Sequence, residues 1–267
     1  MATAIVFDSG VGGLSVFDCI AAALPCLRLL YVADNAYFPY GTKEEAALVA
    51  RVRDLLADLA ERLHPDLVVI ACNTASTIVL PAVRDALAVP IVGTVPAIKP
   101  AVQASATRVI GLLGTPGTAK RKYTQALIDE FASACTVLRH GSTELVEMAE
   151  QKLRGETIDP AAMQRALAGL LEQSGGERVD TVVLACTHFP LLAEELAAAA
   201  PRPLRWIDSG SAIARRVASL LDGTIAAAGG SEAPVHRALF TARTAAVEKL
   251  RPALSLRGLR QVEFIER

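Results

Sequence analysis

The sequence has no cysteine pattern typical of a disulfide framework, and no export signal that would accompany one. Its five cysteines are an odd number without a CxxC pair. Residues 1–7 carry no basic region, and their apolar stretch is too short for a secretory signal. The longest uncharged run, residues 67–83, is interrupted by polar side chains and Pro81, which argues against a membrane span. We therefore expect a cytoplasmic protein with reduced thiols.

An excess of charge of either sign is also missing. The chain has 27 Lys and Arg residues against 28 Asp and Glu residues, and its net charge is −1. Because no surplus of Lys or Arg is available to neutralise phosphates, this balance argues against nucleic acids and acidic membranes as partners. With 267 residues, 52% hydrophobic and 21% charged, the composition is that of an ordinary globular protein with one large or two small domains.

A complete phosphate-binding loop is the third absence. No GxxxxGK[ST] motif occurs, and a dinucleotide fingerprint beginning at Gly10 and Gly12 would need its third glycine where Ser15 stands. Asp8 precedes this loop, and its carboxylate would repel a pyrophosphate. The loop instead offers backbone N–H groups and a helix N-terminus to a carboxylate, which leaves Asp8 for an amine or for proton transfer.

The sequence does contain a segment that occurs twice. Residues 66–74 are DLVVIACNT and residues 180–188 are DTVVLACTH, so the ungapped pair shares Asp, Val, Val, Ala and Cys. Each segment is a continuous apolar run of the buried parallel-strand type that ends in Cys72 or Cys186. In open α/β sheets, groups just beyond the carboxyl ends of the strands line the ligand crevice. The repeat therefore predicts two thiols at one cleft.

The predicted elements follow the same order in both halves of the chain: a strand, a glycine-rich loop, a helix, and later a strand that ends in cysteine. An internal duplication explains this order. We predict an α/β fold of two similar doubly wound parallel-sheet domains with a pseudo-two-fold relation and the active site in the cleft between them. One domain comprises residues 1–97 plus 208–267 and carries the first cysteine. The other comprises residues 98–207 and carries the second.

Local signals predict several element boundaries. Thr42 and Glu45 have the spacing of a capping box at the start of a helix. Residues 227–234 are an Ala- and Gly-rich loop in this interpretation. Residues 261–265 alternate in polarity like a strand at the edge of a sheet.

The two repeated cysteines are the candidate catalytic groups. A single buried thiol at a strand end is usually a small hydrophobic side chain. Cys72 and Cys186 depart from that pattern because both are followed by hydroxyl, amide or imidazole groups, and both loops lead into predicted helices. A helix N-terminus or a nearby cation favours the thiolate. One thiolate and one thiol on opposite faces of a carbon acid could invert a stereocentre, one removing the α-proton while the other delivers a proton.

Three other functions remain open from the residues alone. Cys186 and His188 suggest a nucleophilic hydrolase with Asn73 as the orienting group. Cys72, Cys186, His188 and Asp8 are ligand types that suit zinc, although close-spaced ligand pairs are missing. The third is a protein that binds an amino acid without transforming it.

Five motifs carry a resemblance to a known family. In chain order they are VFDSGVGGLSV (6–16), FPYG (38–41), ACNTAST (71–77), GTVPA (93–97) and CTHFPLL (186–192). Over nearly the whole chain the sequence resembles the glutamate racemases within the aspartate/glutamate racemase family. The resemblance implies an enzyme that needs no cofactor or metal, interconverts L- and D-glutamate, and supplies D-glutamate for peptidoglycan.

The resemblance also implies roles for individual residues. Cys72 would act on the α-proton of the D-isomer with help from Asp8. Cys186 would act on the α-proton of the L-isomer with help from His188 and Glu147. The residues implied to hold the carboxylates and the ammonium group of glutamate are Asp8, Ser9, Tyr40, Gly41, Asn73, Thr74, Thr187 and His188.

The segment before the implied assisting glutamate departs from the commoner family pattern. RHGSTELVE (139–147) stands where many members have Cys-Pro-x-x-Val-Pro-Leu-Val-Glu. It resembles the enterobacterial-type branch, in which a UDP-muramoyl-alanine precursor activates the enzyme; a homodimer is also compatible with the family. Glu144 and Glu150, one turn on either side of Glu147, are interpreted as solvated helix charges.

Overall fold

The computed structural model describes residues 1–228 and 233–265. The chain divides into two compact units. The first unit comprises Met1–Thr94, Leu153–Gly155 and Gly210–Arg267, and the second comprises Val95–Lys152 and Glu156–Ser209.

The strands of the described residues are, in chain order, β1 (Thr3–Asp8), β2 (Arg28–Ala33), β3 (Leu67–Ile70), β4 (Ile91–Gly93), β5 (Val109–Gly114), β6 (Thr136–Gly141), β7 (Thr181–Ala185), β8 (Arg205–Ile207), β9 (Arg237–Phe240) and β10 (Gln261–Phe264). The α-helices are α1 (Leu14–Ala23), α2 (Glu45–Leu63), α3 (Asn73–Ala86), α4 (Ile98–Ala104), α5 (Pro116–Lys120), α6 (Lys122–Phe131), α7 (Glu144–Leu153), α8 (Pro160–Leu171), α9 (Ala193–Ala199), α10 (Gly210–Ala228) and α11 (Ala245–Leu256). Short 3-10 helices cover Tyr40–Thr42, Gly176–Arg178 and Phe189–Leu192. Among the described helices, none combines the length and the apolar character needed to cross a membrane.

The first unit is built on a parallel sheet with the strand order β10-β9-β2-β1-β3-β4. Every residue of β1 and β3 is buried, which explains why residues 4–7 and 67–70 are unbroken apolar runs rather than an alternation. Helix α2 packs on the sheet through a stripe of leucines and valine at helical spacing, namely Leu48, Val52, Leu55, Leu56 and Leu59. The last strand, β10, lies at the sheet edge, as its alternating polarity predicts.

The second unit is built on a parallel sheet with the order β6-β5-β7-β8. This order repeats the order β2-β1-β3-β4 of the first unit, so that β5 corresponds to β1 and β7 corresponds to β3. The prediction of an α/β protein with two doubly wound parallel sheets is confirmed. The cysteine segments of the sequence repeat are the equivalent strands β3 and β7.

The aspartate that begins each repeated segment has a structural task. Asp66 accepts the backbone N–H of Thr3 at 2.8 Å. Asp180 accepts the Ser105 hydroxyl at 2.7 Å and two successive backbone N–H groups, from residues 106 and 107, at 2.7 and 3.0 Å. Burial raises the pKa of Asp180, but these hydrogen bonds outweigh it and hold the pKa at about 2. Both carboxylates therefore tie the start of a cysteine strand to the preceding part of its unit.

We expect Asp180→Ala to lower the free energy of unfolding by about 1–2 kcal/mol, because three donors lose a charged acceptor that is only partly replaced by water. The stabilisation from Asp180 should be fully present above its unfolded pKa of 3.8 and should fade as the pH falls towards 2, since the folded pKa is depressed. Denaturant unfolding of the wild type and the variant between pH 2 and pH 7 measures this. Asp129→Ala, which loses one exposed bond to Gln125, is the control and should change the stability by less than about 0.5 kcal/mol. A pH-independent loss would contradict the prediction.

Two predicted boundaries are corrected. The capping box at Thr42 is wrong: Thr42 ends a 3-10 turn, and its hydroxyl donates to the Pro39 carbonyl. Helix α2 begins later and is capped by Glu44, whose carboxylate accepts two backbone N–H groups of the first turn. The predicted loop at 227–234 begins too early, because α10 continues to Ala228; residues 229–232 lie outside the described part.

Candidate active site

In the first unit, the strand order reverses between β1 and β3, and Asp8 and Cys72 stand at this point. Asp8 is the last residue of β1, and Cys72 follows β3 by two residues. The chain leaves β1 towards β2 on one side, whereas β3 leads to β4 on the other. Such a switch point opens a crevice at the carboxyl ends of the strands, where ligands bind in open α/β sheets.

Cys72 is buried and caps helix α3. Its Sγ accepts the backbone N–H of Ala75 at 3.5 Å, so the sulfur lies at the positive end of the helix. The strand end that carries Cys72 is fixed by two donors to the Ile70 carbonyl, the hydroxyls of Ser76 and Thr94, each at 2.9 Å. These bonds fix the strand end from which Cys72 follows, and the thiol stands at the N-terminus of α3.

Asp8 is completely buried at the end of β1. Its Oδ1 accepts both the backbone N–H and, at 3.2 Å, the hydroxyl of Ser9. The loop that follows passes very close to the ends of β1 and β3. A Cβ at Gly13 would lie 2.8 Å from the Asp8 Cβ and 3.1 Å from the Cβ of Ala71. Glycine at position 13 is therefore required for helix α1 to begin beside the carboxylate.

Asn73 and Thr74 form the first turn of α3 directly after Cys72, and both are at least 95% buried. The side-chain nitrogen of Asn73 has no hydrogen-bond partner among the residues that the structure describes. A buried amide donor without an acceptor costs about 1–3 kcal/mol. The arrangement is suited to a ligand that brings an acceptor, such as a carboxylate.

Tyr40 is buried, whereas the adjacent Gly41 is exposed. The Tyr40 hydroxyl donates to Oδ2 of Asp34 at 2.8 Å. Burial is the first cause that raises the pKa of Tyr40 well above 10, and the negative groups of Asp34, Cys72 and Asp8 raise it further. The structure therefore brings Tyr40 close to the thiol and carboxylate of this unit, and adds Asp34, which the sequence analysis missed.

In the second unit, Cys186 occupies the position equivalent to Cys72, immediately after β7. The strand order reverses between β5 and β7 as it does between β1 and β3. Gly114 ends β5 and pairs with Ala185, so glycine stands where the first unit has Asp8. A carboxylate from the sheet is therefore missing beside Cys186, and the partner of this thiol comes from another element.

That partner is His188. Its Nδ1 lies 3.8 Å from Sγ of Cys186, and its Nε2 lies 3.0 Å from Oε1 of Glu150 on α7. Burial lowers the pKa of His188, but the hydrogen bonds and charges of Cys186 and Glu150 outweigh burial and raise the pKa well above 6.5. His188 is 4% exposed, so its imidazole is shielded from bulk water, whereas the side chain of Glu150 keeps 12% of its surface exposed.

The glutamate beside His188 is a correction to the sequence analysis. Glu147, the predicted assistant, is exposed, whereas the side chain of Glu150 is only 12% exposed and is bonded to the imidazole. The interpretation of Glu150 as a solvated charge is wrong. Helix phase contained a signal: Leu145, Val146, Met148 and Ala149 are the buried face, and Glu147 lies opposite to it.

The remaining predicted residue, Thr187, is buried between Cys186 and His188. The chain Cys186–His188–Glu150 has the order of a nucleophile, a base and an orienting carboxylate, so its geometry alone also fits the hydrolase alternative, with Glu150 in the place predicted for Asn73. Within the described ranges, no three His, Cys, Asp or Glu side chains are grouped as ligands for a metal ion.

Comparison with known proteins separates these alternatives. A family model for Asp/Glu/Hydantoin racemase matches residues 12–217. The glutamate racemase of Klebsiella pneumoniae (strain 342) is 49% identical over 261 residues, which are 98% of this chain and 91% of that protein. The glutamate racemase of Sphingopyxis alaskensis is 55% identical over 219 residues, 82% of each chain.

The fold agrees with this similarity. The crystal structure of Escherichia coli glutamate racemase in complex with L-glutamate and the activator UDP-MurNAc-ala superposes with a TM-score of 0.91. It is 47% identical in sequence, and the match covers 99% of this chain and 98% of that one. The chain therefore belongs to the Asp/Glu/Hydantoin racemase family and, within it, to the glutamate racemases.

Proposed function

We propose that this protein interconverts L- and D-glutamate without a cofactor and supplies D-glutamate for peptidoglycan. The observation that carries the proposal is the pair of equivalent thiols, Cys72 and Cys186, which follow the corresponding strands β3 and β7 in a chain of this family. A hydrolase needs one nucleophile, and nothing in its chemistry calls for a second thiol in the duplicated position. Racemisation by two bases calls for two.

In the proposed reaction, the C–H bond at the α carbon breaks and its proton passes to a thiolate. The electron pair remains on the substrate as a carbanion that the adjacent carboxylate stabilises. The other thiol then gives its proton to the opposite face, so that one thiolate is consumed and one is formed in each turnover. Cys72 takes the proton of the D-isomer and Cys186 that of the L-isomer, which requires both sulfurs to reach the same α carbon.

The surroundings of the two thiols support different means of controlling their protons. Cys72 lies at the N-terminus of α3, and the buried carboxylate of Asp8 can exchange a proton at this end. Cys186 lies beside His188, whose protonated form Glu150 favours and which can act as a proton donor or as the counter-charge of a thiolate. In the proposal each thiol therefore has its own group for exchanging a proton, Asp8 for Cys72 and His188 for Cys186.

The substrate is small, carries two carboxylates and one ammonium group, and needs several short donors. In the proposal these come from the hydroxyl, amide and backbone groups of Ser9, Tyr40, Gly41, Asn73, Thr74 and Thr187, with Asp8 and His188 near the ammonium and carboxylate groups. The unsatisfied amide nitrogen of Asn73 supports a carboxylate oxygen as its partner.

Regulation is the second part of the proposal. The E. coli relative has been crystallised with L-glutamate and the activator UDP-MurNAc-ala. On the strength of 47% identity across nearly the full length, we propose that this chain responds to the same muramoyl nucleotide.

The test is polarimetry or circular dichroism on L- and D-glutamate, with L-aspartate as the competing substrate and with or without the muramoyl nucleotide. We expect racemisation of both glutamate isomers, incorporation of deuterium at the α carbon in D2O, no loss of activity with a chelator, and a faster reaction with the nucleotide. Binding of glutamate without α-hydrogen exchange would sink the proposal, and loss of activity with chelator would reinstate the zinc alternative.

A further inference from the structure

Asp34 is a fully buried carboxylate that immediately follows β2. It accepts four hydrogen bonds: from the Tyr40 hydroxyl at 2.8 Å, from two nitrogens of Arg51 at 2.7 and 3.2 Å, and from the Thr241 hydroxyl at 2.8 Å. Every oxygen of the carboxylate is thus engaged by two donors. The residues at its centre come from three separate parts of the first unit: the loop after β2, helix α2, and the end of β9.

Backbone bonds anchor this cluster to the candidate active site. The N–H of Asp34 donates to the carbonyl of Asp8 at 2.9 Å, so the backbone of Asp34 lies next to the end of β1. The Asp34 carbonyl accepts the N–H of Tyr37 at 3.0 Å, and the N–H of Ala36 donates to the Thr241 hydroxyl at 3.0 Å. The loop that leads to Tyr40 is therefore held at its start by backbone bonds of Asp34 and by the Thr241 hydroxyl, and at its end by the Asp34 carboxylate.

A buried ion pair is a weak source of stability, because desolvation of both charges offsets their attraction. Asp34 is completely buried, while its partner Arg51 keeps 23% of its side chain exposed. We therefore explain the Asp34–Arg51 pair by the side chain that it positions rather than by a contribution to the free energy of folding. The group that it positions is Tyr40, since no neutral residue at position 34 would offer the phenol a charged acceptor.

The Tyr40 hydroxyl is consequently committed to Asp34 and cannot also bind substrate as a donor. The ring is 2% exposed and belongs to the same buried cluster as Cys72 and Phe7. Gly41, the next residue, is exposed, and nothing lies within 4 Å of where its Cβ would be. A fixed aromatic ring beside an open backbone position is suited to presenting main-chain groups to a ligand.

We propose that Asp34, held by Arg51, is a positioning residue for substrate binding: it fixes Tyr40 and thereby the main chain at Gly41 that receives a glutamate carboxylate. The inference rests on the proposed function, because it assigns a task in binding the same substrate. It differs from a direct role for the Tyr40 phenol, which is already occupied. The proposed role of Asp34 concerns substrate binding and not proton transfer, since the hydrogen bonds of its carboxylate go to Tyr40, Arg51 and Thr241.

The experiment compares the steady-state kinetics of Tyr40→Phe and Asp34→Asn with those of the wild type, for both glutamate isomers. Tyr40→Phe removes only the hydroxyl and keeps the ring in the cluster. We expect the KM to rise about tenfold for L- and D-glutamate alike, the loss associated with one hydrogen bond to a charged group, while kcat changes by less than about threefold. Asp34→Asn should raise the KM at least as much. Tyr40→Phe keeps the test decisive if Asp34→Asn does not fold.

One control distinguishes positioning from a general loss of stability. Asp58→Asn removes the partner of Arg62 on the exposed side of α2 and should leave KM unchanged. If the wild type racemises glutamate but Tyr40→Phe has an unaltered KM, this inference fails while the proposed function stands. The same holds if Tyr40→Phe loses only kcat, and loses it in proportion to a fall in thermal stability. A wild type without racemase activity would overturn the proposed function and this inference together.

Discussion

Cys72→Ser and Cys186→Ser should each lower kcat/KM for racemisation in both directions by about 10²–10⁴-fold, the usual contribution of a positioned acid or base. A serine hydroxyl occupies nearly the same place but is far less acidic than a thiol, so it neither holds nor releases the α-proton at neutral pH. Each direction uses one sulfur to remove a proton and the other to deliver one. Loss of either sulfur therefore blocks both directions, as measured by circular dichroism on each isomer.

Isotope exchange in D2O sharpens this prediction. If Cys186 takes the proton of the L-isomer, Cys72→Ser should still exchange the α-hydrogen of L-glutamate without inverting it, and Cys186→Ser should do the same only with D-glutamate. Cys26→Ser, at an exposed thiol outside the site, is the matched control and should behave as the wild type. A dead Cys186→Ser variant beside a Cys72→Ser variant with substantial activity would favour a hydrolase-like single nucleophile.

Glu150→Gln should lower kcat by about 10- to 100-fold, whereas Glu147→Gln should leave it within about twofold of the wild type. The two glutamates are three residues apart on α7, yet only Glu150 lies 3.0 Å from the His188 ring. The amide keeps the shape of the side chain but removes the negative charge that favours the protonated imidazole. Wild-type activity in Glu150→Gln together with a strong loss in Glu147→Gln would return the assisting role to Glu147.

The same pair of variants tests the pH dependence. The folded pKa of His188 is raised well above 6.5, so the stabilisation from its charged form is fully present below 6.5 and is lost as the pH rises through the folded value. Without the charge of Glu150, we expect the alkaline limb of the kcat/KM profile to move to lower pH. Glu147→Gln should leave that limb in place.

The directions of the glutamate side chains on α7 could not be predicted from the sequence motif. From the sequence, Glu144, Glu147 and Glu150 are interpreted as residues of one helix, and the structure has that helix as Glu144–Leu153. The resemblance to a family motif selected Glu147 as the residue that assists Cys186. A motif gives positions along the chain and does not show in which direction a side chain points. The direction depends on which face of α7 is buried, and that face turns Glu147 outward.

Asp34 was missed for a different reason. In the sequence it is one polar residue in the loop after β2, a place where aspartate is common for its turn-forming side chain. Its partners are 6, 17 and 207 residues away, and nothing local links Thr241 or Arg51 to it.

The sequence by itself determined the parallel-strand class, the duplication and the two thiols at equivalent strand ends. These follow from continuous apolar runs and from the recurrence of one segment, both of which can be recognised without knowing how the chain packs. Only the tertiary structure decided which carboxylates contact the candidate site residues, Glu150 at His188 and Asp34 at Tyr40. A buried charge is positioned by whatever partners the packing brings to it, and those partners are set by helix phase and by chain segments that lie far apart in sequence.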